Sequence, residues 1–497
     1  MLKKFPIYPF LFAAYPVLAL GAYNVFEISV GEIWRPLAVS LALVGVILGI
    51  TRLLLRDWHR AAVATTIILL LLFSYGQVYS ELKSVTLAGI FPFRHRSLGS
   101  LWGLLLIAGV VWAWRWLKEP ANWTPWLNLV AALLLVFPTY TIVAASVQRA
   151  VQSARYASAS QGSSANPDSP DIYYIILDGY GRQDLLRDKF GYDNSDFING
   201  LKERGFYVPD CSQSNYARTL TSLASSLNMV YVDDLPIDPK IGAGPFLKYG
   251  AVRLFLQERG YRIAAFPTGY QWSEWTDSDV FYESGLSAGV LNEFETLFAQ
   301  TTLLRIPFDL MEHQITSAFR LEENRRLRTL NALTALTTFP DEDGNLFVFA
   351  HIVIPHPPYY FGANGEDVFY APGQLSDSEE RKAYADQARF ISARMLGVID
   401  TISAKSDRLP VIIVQGDHGP PPYLVAPAGR MENLNAYFLP GVDTSKVLYP
   451  SITPVNTFRV ILDQYFGQNL PLLEDRSYFG LANDETLVEI PPSCPEP

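Results

Sequence analysis

Three short stretches of this chain carry side chains that metal-assisted chemistry would use. Asp178 follows the apolar run Ile172-Tyr173-Tyr174-Ile175-Ile176-Leu177 and precedes Gly179. Asp417 and His418 stand between Gly416 and Gly419, directly after Val411-Ile412-Ile413-Val414-Gln415. Two carboxylates and an imidazole suit a divalent cation. Alone, Asp178 reads first as a solvated turn acid, because acids and glycines are ordinary turn residues. Adjacent Asp417 and His418 after a buried run are harder to explain by packing, and point to function.

The third stretch is Asn215-Tyr216-Ala217-Arg218-Thr219-Leu220-Thr221-Ser222, which predicts a helix over 219–229 with hydroxyls in its first turn. Those hydroxyls suit N-capping. Thr219 also stands where free N–H groups and the helix dipole favour an anion. Its hydroxyl becomes a nucleophile only if a base or a metal activates it.

Two further histidines lie in Ala350-His351-Ile352-Val353-Ile354-Pro355-His356-Pro357-Pro358. Proline restrains the residue before it, so His356 is held extended at the expected end of a strand. His356 is therefore preferred as a site residue, and His351, inside the apolar stretch, reads as a satisfied core histidine. Asp309 and His313 are four apart and could share a helix face, but they read as a helix start with a surface histidine. Trp272 and Trp275, beside Glu274, suit either an acceptor groove or core packing.

Position must come from the surrounding elements. Short continuous apolar runs bounded by turn residues read as strands buried on both faces. Ligands bind beyond the carboxyl ends of such strands. Parallel neighbours need long crossovers, so Asp178 and Asp417 can meet although far apart in sequence. Strands are expected over 172–177, 261–266, 346–354, 411–415 and 434–439. Helices are expected over 194–205, 219–229, 248–259, 315–338 and 379–404. This alternation predicts an α/β fold, a mostly parallel sheet with helices on both faces.

The first 150 residues differ in kind. Five apolar stretches, roughly 5–23, 36–55, 61–79, 98–117 and 126–145, approach the length that spans a bilayer. This predicts an all-α, five-helix transmembrane domain. Lys3, Lys4, Arg52, Arg56, Arg60, Arg115 and Lys118 fall in alternate loops, which places those loops in the cytoplasm. Lys83, Arg94 and Arg96 oppose that assignment. An odd number of spans puts the rest of the chain outside the cytoplasm, at a cell membrane. Residues 151–170, rich in Ser, Ala, Gly and Pro, read as a flexible linker. The expected division is 1–150 transmembrane, 151–170 linker and 171–497 extracytoplasmic catalytic domain.

The net charge of −10 argues against a general nucleic-acid partner. Two cysteines, Cys211 and Cys494, exclude a cysteine-rich metal site. In an oxidising compartment the two could pair, or remain one buried and one tail thiol.

The order Asp178, Thr219, His356, Asp417-His418 resembles the alkaline phosphatase superfamily in its sulfatase-like branch. With a five-span anchor it is similar to the membrane-anchored lipoteichoic acid synthase and phosphoethanolamine transferase type, over roughly residues 170–480. The resemblance implies that Asp178, Thr219, Asp417 and His418 hold one divalent cation (Mn, Mg or Zn). It implies that Thr219 is also the nucleophile, through a phosphothreonine intermediate, and that His356 contacts the phosphoryl group. Cys211-Ser212-Gln213-Ser214-Asn215 lacks the Pro and Arg of a formylglycine sulfatase motif. No histidine follows His418 to complete a second metal site, so one cation is expected. The implied activity is a metal-dependent phosphoryl transferase or phosphodiesterase acting on an envelope or lipid-linked phosphoester at the bilayer. The alternatives are a sulfate- or phosphate-ester hydrolase, or a catalytically inactive membrane sensor.

Overall fold

A computed structural model describes residues 5–25, 28–83, 86–87, 91–92, 94–159, 169–237, 242–270, 272–282, 291–310, 321–370, 375–481 and 486–494. The chain forms two compact units. One comprises Met1–Ala150 with Ala288–Leu321, and the other Val151–Ser287 with Glu322–Pro497.

The first unit contains α1 (Tyr8–Tyr23), α2 (Trp34–Leu55), α3 (Trp58–Leu82), α4 (His95–Arg115) and α5 (Pro120–Ala159). Five helices thus stand where five spans are expected. The helices of α2 to α5 are long and apolar enough to cross a membrane. The 16 residues of α1 rise only about 24 Å, short of a hydrocarbon core of ~30 Å. Leu53, Leu104, Ile107 and Phe137 point outward and are exposed, a surface that lipid accepts and water does not.

A stretch from far along the chain belongs to this unit, which departs from the expected division at residue 171. The helices Glu293–Thr301 and Arg305–Leu310 pack on the α-helical bundle. Phe294 clusters with Val17, Val25, Ile28, Ile33, Ile142 and Ala145. Glu295 is buried and forms an ion pair with Arg35 at the start of α2. Arg305 donates to Ser80 near the end of α3, and Asp309 meets His95 at the start of α4. The late segment therefore gathers the C-terminal halves of α1, α3 and α5 and the starts of α2 and α4 at one end of the bundle. Successive helices must then run in alternating directions. His313 lies outside the described residues.

Helix α5 continues to Ala159, so the first part of the expected linker is helical; residues 160–168 lie outside the described residues.

The second unit is built on a six-stranded sheet: β1 (Ile172–Leu177), β2 (Arg262–Ala265), β3 (Val280–Phe281), β4 (Leu346–Ile352), β5 (Val411–Gln415) and β6 (Asn435–Phe438). The spatial order is β6-β5-β1-β4-β2-β3. Only β6 runs antiparallel to its neighbour. All six residues of β1 are buried, and they divide by pleat. Tyr173, Ile175 and Leu177 pack into one core and Ile172, Tyr174 and Ile176 into the other. Full burial of such side chains contributes about 1.5–3 kcal/mol each, so this central strand anchors both layers. Helix α6 (Thr219–Asn228) contributes to the second core, and α7 (Asp377–Lys405) to the first.

Register carries the two chemical stretches to one edge. Ile176 pairs with His351 on one side and Gln415 on the other, and Leu177 pairs with Ile352. Asp178 and Gly416-Asp417-His418 therefore leave the sheet side by side.

Cys211 and Cys494 form a disulfide that closes a loop across 283 positions. Ser493 beside it accepts from Arg182 through its carbonyl and donates from its hydroxyl to Glu432, which ties the tail down. Alkylation without reductant is expected to label neither cysteine, read as an unchanged mass. Replacing Cys494 with Ser should cost about 2–5 kcal/mol, seen as a lower thermal midpoint under non-reducing conditions. Full labelling of both thiols in the native protein would contradict the pairing.

Candidate active site

The loop after β5 turns back under the loop after β1. A Cβ at Gly416 would collide with the Tyr180 carbonyl, and one at Gly419 with the carbonyls of Gly429 and Glu432. Only glycine permits these approaches, which explains the flanking glycines around Asp417-His418. Gly179 N–H donates to Asp417 Oδ1 at 2.9 Å, so each strand end fixes the other. Tyr384 from α7 donates to the Gly179 carbonyl and accepts from Gly181 N–H. Ser222 from α6 donates to the Asp417 carbonyl at 2.6 Å, clamping the helix to the same loop.

Asp178, Asp417 and His418 present one ligand atom each within 4.8 Å of one another, and all three are buried. His418 Nδ1 faces the Gly419 carbonyl at 3.0 Å. We assign the ring proton there, which leaves the Nε2 lone pair facing inward. Nε2 lies 3.2 Å from Asp417 Oδ2 and 3.7 Å from Asp178 Oδ1. Both of those oxygens are buried and lack a hydrogen-bond partner. When both carboxylates are ionised, these two bare oxygens repel each other and the Nε2 lone pair, a repulsion that a cation among them would relieve. The donor set therefore fits a divalent ion with oxygen ligands and one imidazole.

Thr219 completes the group. It is the first residue of α6, with Arg218 at the N-cap position, so its hydroxyl is not the helix cap. Its Oγ1 lies 3.0 Å from His418 Nε2. Thr219 stands at the N-terminus of α6, a position where free N–H groups favour an anion.

The two histidines of the 350–358 stretch lie at different depths. His356 is half-buried; its backbone N–H donates to the Asp178 carbonyl at 3.1 Å, and its Nδ1 meets the Pro357 carbonyl. His351, fully buried, meets Asp178 Oδ2 through Nε2 at 3.2 Å and Ser273 through Nδ1 at 3.0 Å. It is thus no bystander in the core: it holds the second oxygen of Asp178 and leaves Oδ1 facing the pocket. Strand β4 ends at Ile352 rather than 354, which puts His351 one residue from the strand end.

Arg430 is the other residue that sequence patterns leave unmarked. It is 6% exposed, yet it donates to neutral acceptors. Nε donates to the Ala217 carbonyl, Nη1 to those of Gly419 and Pro420, and Nη2 reaches His418 Nε2 at 2.9 Å. Trp275 is fully buried and stacks on Phe349 as a core residue, while Trp272 lies tilted beside His351 with ring centroids 5.6 Å apart.

The charges are correspondingly displaced. Burial, and then the neighbouring Asp178, push the Asp417 carboxyl up to about 7. Burial also opposes ionisation of Asp178, but the imidazoles of His356, His351 and His418 outweigh it and hold that carboxyl low. Burial and the Arg430 guanidinium hold His418 well below its ordinary value, so it is neutral, as a ligand must be.

No protein-family model matches the chain, and no curated protein does. Solved structures resemble it in fold. The C-terminal periplasmic domain of EptC from Escherichia coli matches at 11% identity and TM-score 0.43, over 65% of this chain and 92% of that one. The integral membrane lipooligosaccharide phosphoethanolamine transferase A from Neisseria meningitidis matches at 11% identity and TM-score 0.39, over 93% and 94%. A protein in the alkaline phosphatase superfamily from Vibrio parahaemolyticus matches at 12% identity and TM-score 0.39, over 68% and 84%.

Asp417→Asn and His418→Ala are each expected to lose a bound cation, measured by elemental analysis of the purified protein; normal content in both would remove them from the site. Asp417 also sets a pH dependence. Its folded value lies above the ~3.9 of an unfolded aspartate. The cation-free protein is therefore favoured at acid pH and loses that stability as pH rises through about 7. A cation requires the ionised carboxylate, so its affinity should rise across the same window as about one proton is released. Calorimetry in two buffers of different ionisation enthalpy measures that proton, and an affinity that is flat through neutral pH would contradict it.

Proposed function

We propose that this chain is a membrane-anchored, metal-dependent phosphoryl-group transferase or phosphodiesterase that uses Thr219 as its nucleophile. The observation that carries the reading is the Thr219 hydroxyl, 3.0 Å from His418 Nε2 beside two carboxylate oxygens that have no hydrogen-bond partner. A nucleophile, its helix N-terminus and a cation cradle meet at one sheet edge.

Asp178, Asp417, His418 and Thr219 would hold a single divalent ion, Mn, Mg or Zn. Such an ion supplies charge neutralisation for phosphoryl oxygens and lowers the pKa of a coordinated hydroxyl. The remaining steps belong to the protein. The N–H groups at the start of α6 bind a phosphoryl oxygen. Thr219 Oγ1 attacks phosphorus in line and gives up its proton, the bond to the first alcohol breaks, and that alcohol leaves carrying a proton. A second alcohol, or water, then attacks the phosphothreonine, and the bond to Oγ1 breaks to restore the hydroxyl. His356, on the rim of the site, contacts the phosphoryl group. His351 acts through Asp178 and is a positioning residue.

The helical unit directs the reading towards substrates at a bilayer. Helices α2 to α5, each long and apolar enough to cross a membrane, favour a bundle embedded in the bilayer. The cystine 211–494 favours an oxidising, extracytoplasmic compartment. A lipid-linked or envelope phosphoester then meets the enzyme at the membrane surface. Hydrolysis of phosphate or sulfate esters is the second reading, since the same pocket serves if water replaces the acceptor alcohol.

Thr219→Ala is expected to lower turnover of a generic phosphodiester by at least about 10³-fold while elemental analysis finds the cation retained. Full activity in that variant would end the threonine assignment. Parallel assays of phosphate and sulfate esters, comparing alcohol released with group transferred, separate transferase from hydrolase.

A further inference from the structure

Arg430 presents a buried guanidinium whose partners leave one donor misplaced. Three of its hydrogen bonds are to backbone carbonyls, at 3.0, 2.8 and 2.9 Å. These fix the plane of the group, because a guanidinium donates in a rigid fork. The remaining nitrogen, Nη2, reaches His418 Nε2 at 2.9 Å. Thr219 Oγ1 approaches the same Nε2 at 3.0 Å. Two donors thus converge on one lone pair.

That lone pair is also the one that faces the two bare carboxylate oxygens. An imidazole nitrogen cannot accept from Arg430 and bind a cation at once. When a cation takes Nε2, Nη2 loses its acceptor, while the bonds to Ala217, Gly419 and Pro420 keep the guanidinium in place. A charged donor then points into the pocket, next to the Thr219 hydroxyl. Leaving it unmatched in a buried site is costly. An anionic oxygen delivered to Thr219 would satisfy it, with the short charge-assisted geometry that arginine forms with phosphoryl groups.

We propose that Arg430 is a catalytic residue that binds a phosphoryl oxygen of the substrate through Nη2 and supplies the second positive charge of the site. The assignment rests on the phosphoryl-transfer reading above and deepens it. It also accounts for a single cation sufficing here: no histidine follows His418 in the chain, and a fixed guanidinium stands beside His418 instead. A role confined to bracing the loop would use the three carbonyl bonds alone and would not touch the anion.

The test uses the full-length protein in detergent, loaded with the divalent cation, with inorganic phosphate as the probe. Calorimetry measures phosphate affinity, elemental analysis the cation, and a thermal scan the fold. Arg430→Gln is expected to keep the cation and to weaken phosphate binding by about 10- to 100-fold, the range for loss of a charged hydrogen bond. Arg430→Lys should fall between the two. Unchanged phosphate affinity in a folded, cation-loaded Arg430→Gln protein would overturn the proposal. If the unmutated, loaded protein binds no phosphate at all, the phosphoryl reading fails and this inference fails with it. Should both variants misfold, a structure of the unmutated protein with cation and vanadate decides the matter. A vanadate oxygen within about 3.2 Å of Nη2 supports the role, and one beyond about 4 Å overturns it.

Discussion

Two aspartates share one dry pocket, and most of the second unit can be understood as the means of keeping them there. Asp178 and Asp417 are almost wholly buried, and each turns an oxygen without a hydrogen-bond partner towards His418 Nε2. Buried like charges repel strongly, so without compensation one of the two takes up a proton. The rise of the Asp417 carboxyl to about 7 expresses that conflict. A protein that only needed to fold would place apolar side chains here. Retaining the conflict makes sense when something positive is to be bound.

The scaffold resists the repulsion with short, direct links. Strands β1, β4 and β5 are in register, so Asp178 and Asp417 cannot separate without breaking the central ladder. Gly179 N–H joins the two loops directly, while Tyr384 braces the first loop from α7 and Ser222 the second from α6. His351 takes the second oxygen of Asp178, which fixes how the carboxylate is turned. If the aspartates bind a cation, these partners would orient them as outer-shell groups do at metal sites.

The strand ends were legible from residue order because a fully buried parallel strand reads as an unbroken apolar run, and polar residues stand out where it stops. Asp178, Asp417 and His418 were found that way, and Thr219 through the hydroxyl-rich start of its helix. His351 is the buried, hydrogen-bonded core histidine that its apolar stretch suggests, but its contact with Asp178 is not legible there, because an apolar stretch does not reveal its own end and the strand stops at Ile352 rather than 354. Arg430 carries no periodic signal in Ala426-Pro427-Ala428-Gly429-Arg430-Met431, and only the fold brings its long side chain back to His418. The membership of residues 291–310 in the helical unit was equally hidden. Their contacts, Glu295 with Arg35 and Asp309 with His95, join positions more than 200 apart in sequence, and no local pattern encodes such a pairing.

Charge balance links the pocket to its proposed chemistry. Under that proposal, two ionised aspartates would be matched by one divalent ion, leaving the pocket near neutrality before substrate enters. A phosphodiester brings a further negative charge, and the attacking threonine oxygen becomes negative as it loses its proton. Dipoles at the start of α6 meet part of that charge, but they amount to about half an elementary charge. A full positive charge, already desolvated and held by backbone carbonyls, needs no rearrangement when the reaction begins, which is the condition under which electrostatic stabilisation is most effective. Arg430 is the buried guanidinium in contact with His418 that meets this requirement. The same arithmetic explains why a neutral His418 is essential: a protonated imidazole would supply charge in the wrong place and close the lone pair on which the cradle depends.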